Sequence, residues 1–115
     1  MRSILRAVVE NAVVTEVSEL AVRLDQFIIA AAEFLPYEEV EIVHGDSDRR
    51  FRSYLEPAPE GSGVVAIPGA RVGDRVSILS FVALHEGQTI AHKPRVVTVD
   101  ATVDAANRVV AVSER

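Results

Sequence analysis

Twenty of the 115 residues are valine, whereas only six are aromatic, two tyrosines and four phenylalanines. Valine is stiff at χ1 and fits a pleated surface better than a helix. The valines fall in short clusters, and Gly, Pro, Asn, Asp and Ser interrupt the chain roughly every ten residues. Such punctuation leaves no room for long helices. It predicts a mostly β chain, either a barrel or a sandwich of short strands. The length suits one domain, residues 1–115, which can bury about two-thirds of its unfolded surface.

The pattern resolves into elements. Ser3 to Thr15 reads as a strand region with Asn11 as a bend or bulge. Glu16 to Glu19 reads as a turn, and Val22 and Leu24 alternate with Arg23 and Asp25 as a strand. Phe27, Ile28, Ala31, Phe34 and Leu35 recur at helical spacing. Asp25 is a candidate N-cap for that helix, and Pro36 is its expected stop. Val40 and Ile42 alternate with Glu39 and Glu41. The cluster 44–48 turns the chain into a second strand, Arg50 to Leu55, completing a hairpin. Pro57 to Gly63 is a loop, Val64 to Ile67 a short strand and 68–74 a turn-rich link. Val76 to Leu84 reads as the longest apolar strand, buried on both faces. His85 to Gln88 turns the chain. Arg95 to Asp100 and Val109 to Val112 are the last strands, joined by a polar turn at 104–108, and 113–115 is expected to fray. The echo of 99–101 in 103–105 is too short to mark a repeat.

Composition closes several functional classes. With no cysteine, a disulfide framework, a thiolate metal site and a Cys nucleophile are excluded. A formal charge of −5 opposes nucleic-acid binding, which needs a basic face. No apolar run approaches the roughly 20 residues of a membrane span. Met1 to Ala7 is not followed by the apolar stretch of a secretory signal. The expectation is a cytoplasmic protein with neither nucleic acid nor membrane as partner.

Several segments share an order and spacing with one known family. They are Arg50-Phe51-Arg52-Ser53-Tyr54, then 60–67 (Glu-Gly-Ser-Gly-Val-Val-Ala-Ile), Gly69-Ala70 and Val72-Gly73-Asp74. Pro94-Arg95-Val96-Val97 and the helix 27–35 followed by Glu39-Val40 add to them. Over roughly residues 3–112 the chain resembles pyruvoyl-dependent aspartate 1-decarboxylase, which makes β-alanine. The resemblance implies a six-stranded double-psi β-barrel with one main short helix, assembled as a homo-oligomer, in that family a tetramer with sites between subunits. In the family a Gly-Ser bond breaks by itself, and the serine becomes a pyruvoyl group that serves as an electron sink.

The processing segment is where this chain departs from the family. Its loop, residues 15–25, is shorter. Ala21 aligns with the processed serine and Leu20 with the preceding glycine. Alanine has no hydroxyl to attack the neighbouring carbonyl, so no pyruvoyl and no other cofactor is expected. Ser18 is the remaining candidate for a displaced processing serine. It follows Val17, whose β-branch resists the unusual backbone angles of a strained loop. The family's early lysine and histidine align with Val8 and Glu10, and the asparagine of its Asn-Gly-Ala turn with Pro68.

The matches that survive define a candidate site. The resemblance implies that Arg50 holds a substrate carboxylate, Tyr54 donates a proton and Ser53 occupies the place of a processing threonine, with Gly69 and Ala70 lining the substrate. A guanidinium fork suits carboxylate recognition. Glu10, polar within an apolar strand, is either an outward residue or a second acid/base group beside Tyr54. His44 is expected to be exposed. His85 and His92 make a poor metal pair, and no metal is expected. Gly61-Ser62-Gly63 has no following lysine or helix start and reads as a turn, not a phosphate cradle. Glu38, Glu39 and Glu41 read as a solvated face. The leading functional expectation is a pyruvoyl-free enzyme for a small, anionic organic substrate, performing proton transfer, isomerisation or cyclisation in a biosynthetic pathway. The alternatives are a non-catalytic structural or ligand-binding paralogue, and a true decarboxylase.

Overall fold

A computed structural model describes residues 1–45, 47, 49–89, 92–101 and 106–114. Strand β1 spans Arg2–Val13, β2 Glu16–Ser18 and β3 Val22–Asp25, followed by helix α1, Gln26–Ala32. Then come β4 (Glu39–His44), β5 (Arg50–Ala58), β6 (Val65–Pro68), β7 (Arg75–Leu84), the short helix α2 (Glu86–Thr89), β8 (Arg95–Asp100) and β9 (Arg108–Glu114). Their lateral order is β2-β6-β3-β5-β4-β7-β1-β8-β9. Three parallel pairings, β1 with β8, β3 with β5 and β2 with β6, join strands far apart in sequence. These crossings interlock the two halves of the chain. The fold is the mostly β, aspartate-decarboxylase-like double-psi barrel that the resemblance implies, with nine strand segments among the described residues.

Branched aliphatic side chains make the core. Leu24, Ile28, Ile42, Leu55, Ile67 and Ile78 are its largest fully buried members, with valines filling between them. Alternation dictates who points inward. In β4, Val40, Ile42 and His44 are buried while Glu39, Glu41 and Val43 face outward.

Local signals held where they were local. Asn11 adopts φ 65° beside a register break between Val9 and Ala12, the expected bulge. Asp25 caps α1, its carboxylate accepting from the Phe27 amide at 2.8 Å. Other expectations are corrected. Glu16–Ser18 of the expected turn is strand β2, and the bend begins at Glu19. The helix stops at Glu33 in the left-handed region, not at Pro36, and the amides of Glu33 and Phe34 bond back to Ala30 and Ile29. Phe27 and Leu35, placed on the apolar stripe by spacing, are exposed. β7 is buried on one face only, and β1 is the longest strand. Residues 86–89 form a helical turn. His44 is buried, not exposed. Glu38 is half-buried, not solvated, and accepts two bonds from Arg6 at 2.7 and 2.9 Å. Ser113 and Glu114 belong to β9. Positions 46 and 48 of the first turn cluster, 104 and 105 of the last turn and residue 115 lie outside the described residues.

Candidate active site

The expected processing segment and the Arg50–Tyr54 strand do meet. Beyond β2 the chain bends at 19–21 and enters β3, which runs parallel to β5 with Val22 opposite Leu55 and Arg23 opposite Glu56. That register lays the bend against β5. The Ser53 hydroxyl donates to the Leu20 carbonyl at 2.6 Å. This is the carbonyl immediately before Ala21, the residue that the resemblance sets against the processed serine. The Ser18 hydroxyl donates to the Ala21 carbonyl at 2.5 Å. Ser18 itself is the last residue of β2, opposite Pro68 of β6, and so sits in a regular strand.

A cavity of about 210 Å³ opens here, lined by Ser18, Glu19, Leu20, Ala21, Arg23, Tyr54 and Glu56. Tyr54 is half-buried, and Tyr37 packs against its ring at 6.5 Å. Among the described residues Arg23 makes one long contact, 3.4 Å to Glu16, between two partly exposed side chains, which leaves most of its donors for a ligand. The wall therefore carries a phenol, a guanidinium and two carboxylates around an alanine methyl. Arg23 and Glu56 are additions to the expected set. The strand pattern placed Arg23 at an alternating position but left Glu56 just beyond the strand expected to end at Leu55, and only the parallel register brings the two together.

The remaining candidates are more dispersed. Arg50 shares the Tyr54 face four residues away, about 13 Å along the strand. It does not line this cavity, and its guanidinium lies 3.9 Å from the Glu41 carboxylate. Gly69 and Ala70 follow the Pro68–Ser18 pairing directly, with Gly69 at φ 68° and Ala70 buried. Glu10 is half-buried on β1 opposite Thr98. Strands β7 and β4 separate it from β5, so one chain does not join Glu10 to Tyr54.

Sequence reasoning missed a second polar centre. Gly61-Ser62-Gly63 is a turn, as expected, but its amides cradle an internal anion. The Asp25 carboxylate accepts from Gly61 N at 3.0 Å and Gly63 N at 2.8 Å, besides Phe27 N. Gly63 must be glycine. It has φ 69°, and a Cβ there would lie 2.6 Å from the Ala106 Cβ. Buried Asn107 completes the centre, exchanging bonds with Val13 N and O at 2.8 Å and donating to Gly63 O at 3.0 Å. Nothing local in the sequence links residues 25, 61–63 and 107. Among the described residues no group of three or more His, Asp or Glu could hold a metal ion.

A double-psi barrel with a serine and a tyrosine on one strand, beside a bend at a small cavity, defines the class of small β-barrel to which the sequence pointed. Comparison with known proteins places it further. The family model "Aspartate decarboxylase" matches residues 1–109, and the chain belongs to that family. It is similar to the aspartate 1-decarboxylase of Neisseria meningitidis, at 38% identity over 86% of this chain and 84% of the relative. The aspartate 1-decarboxylase of Methylibium petroleiphilum is 34% identical over 84% of this chain and 87% of the relative. That of Pelotomaculum thermopropionicum is also 34% identical, over 85% and 80%. No described helix is long and apolar enough to cross a membrane.

Proposed function

We propose that this chain is an uncleaved, pyruvoyl-free member of the aspartate decarboxylase family that acts on a small anionic organic molecule by proton transfer, isomerisation or cyclisation. The observation that carries this reading is residue 21. The Ser53 hydroxyl polarises the Leu20 carbonyl, yet the next residue is alanine and supplies no nucleophile. Ser18 does not replace it, because its hydroxyl is committed to the Ala21 carbonyl and its backbone to β2. A pyruvoyl group therefore does not fit the residues present.

What remains suits acid/base work. The Tyr54 phenol is placed to give or take a proton at the cavity wall, and Arg23 offers a guanidinium to an anion there. Shape and proton placement supply much of the rate in such chemistry. The cavity supports an enzyme over a purely structural paralogue. The proposal includes a homo-oligomer in the cytoplasm, a single domain over 1–115, and no metal, nucleic acid or membrane as partner.

The named relatives favour a second reading, aspartate 1-decarboxylase itself. Intact-mass measurement separates the two. One species at 12.5 kDa is expected. Two fragments, together with release of β-alanine from L-aspartate, would overturn the pyruvoyl-free reading and establish the second.

A further inference from the structure

We propose that the cavity between α1 and the start of β9 is a separate ligand site, for a small apolar primary amine. It is the larger of the cavities described, about 380 Å³, a volume within the range of small-molecule sites. Phe27, Ile28 and Ala31 of α1 and Val109 of β9 form its apolar walls, and Asp25, Gly61, Asn107 and Arg108 complete the lining. Phe27 is 54% exposed. An aromatic ring left in water beside an apolar hollow is a surface that a ligand would cover.

The hydrogen bonds decide what that ligand is. Both amide hydrogens of Asn107 are taken, by Val13 O and Gly63 O. The amides of Phe27, Gly61 and Gly63 are all taken by the Asp25 carboxylate. These donors are spent, whereas acceptor capacity is left over. A carboxylate offers about four acceptor positions, and described residues fill three of those on Asp25. Beside Asp25, Gly61 and Asn107, an inward carbonyl or carboxylate would meet spent donors and a buried negative charge. An ammonium would meet an acceptor of opposite charge. The apolar body of the amine then lies against Phe27, Ala31 and Val109. This site shares no lining residue with the Tyr54 cavity, so it stands apart from the proposed function.

The test is an NMR titration of the ¹⁵N-labelled full chain with phenethylamine and, separately, with phenylacetate. The amine is expected to shift the amides of Phe27, Gly61, Gly63 and Val109 with a Kd of about 1 mM, and the carboxylate to bind at least about tenfold more weakly. Ala31→Phe fills the cavity and should abolish the shifts. Phe27→Ala removes an exposed ring without disturbing the core and should weaken binding several-fold, which keeps the test decisive if Ala31→Phe fails to fold. The proposal is overturned if the amine produces no shifts, or if they centre on 18–23 and Tyr54. Equal binding of phenylacetate, or a Phe27→Ala chain that binds like the parent, overturns it as well.

Discussion

Asp25 shows how much of this fold rests on single polar side chains. Its carboxylate is buried and accepts three backbone N–H bonds, from α1 and from both glycines of the 61–63 turn. Replacing it leaves the buried Gly63 donor and the part-buried Phe27 and Gly61 donors unpaired, the Phe27 bond being the helix cap. Asp25→Ala is expected to cost about 3 kcal/mol or more, read from urea denaturation. Ser53 offers the opposite case. Its one hydrogen bond is exposed, so Ser53→Ala should change stability by less than about 1 kcal/mol in the same assay. The bond matters for chemistry instead, because it polarises the Leu20 carbonyl. Leu20→Gly combined with Ala21→Ser returns a hydroxyl beside that carbonyl. Slow chain cleavage after residue 20 is the expected result by mass spectrometry, and adding Ser53→Ala should suppress it. A double variant that stays whole would show that the shortened bend lacks the strain cleavage needs.

At the scale of elements, α1 illustrates what sequence does and does not reveal. Its start was legible, since a cap acts within two residues. Its end was not. Proline at 36 announces a stop, but Glu33 turns left-handed first and lets the amides of 33 and 34 bond back into the helix. A non-glycine residue in that conformation is strained. Glu33→Gly should therefore raise stability by up to about 1 kcal/mol, seen as a higher Tm, despite losing a 3.6 Å exposed contact with Arg95. The same division runs through the chain. Alternation in β4 and the bulge at Asn11 are written locally. The burial of His44 and the pairing of Glu38 with Arg6 depend on which strands lie alongside, and parallel partners distant in sequence leave no local mark. So Tyr54 and Ser53 were legible as candidate site residues through the family resemblance. Arg23 and Glu56, which the register of β3 on β5 adds, were not.

The whole molecule measures 44 × 26 × 25 Å, and its long dimension has a physical cause. β1 and β7 pair from Arg2–Leu84 inward, but β8 joins β1 only from Ala7, and β4 joins β7 only up to Leu79. Residues 2–5 and 81–84 thus form a two-stranded ribbon beyond the sheet. A ribbon of two strands is marginal in water unless something covers its apolar face. Here Ile4, Val82 and Leu84 are half-buried on one face, while on the other Leu5 is half-buried and its partner Phe81 is 39% exposed. Within the proposed homo-oligomer, a second copy of the chain is the natural cover, because two ribbons related by a two-fold axis bury identical apolar faces against each other. Phe81→Glu places a charge on that face and lies outside the core, so it should split the assembly while leaving the chain folded. Light scattering on a sizing column is expected to show the parent as a multiple of 12.5 kDa and the variant shifted toward a single chain. A variant that keeps the parent's mass would place the subunit contact elsewhere, and the exposed valines of β9, Val110 and Val112, would be the next surface to charge.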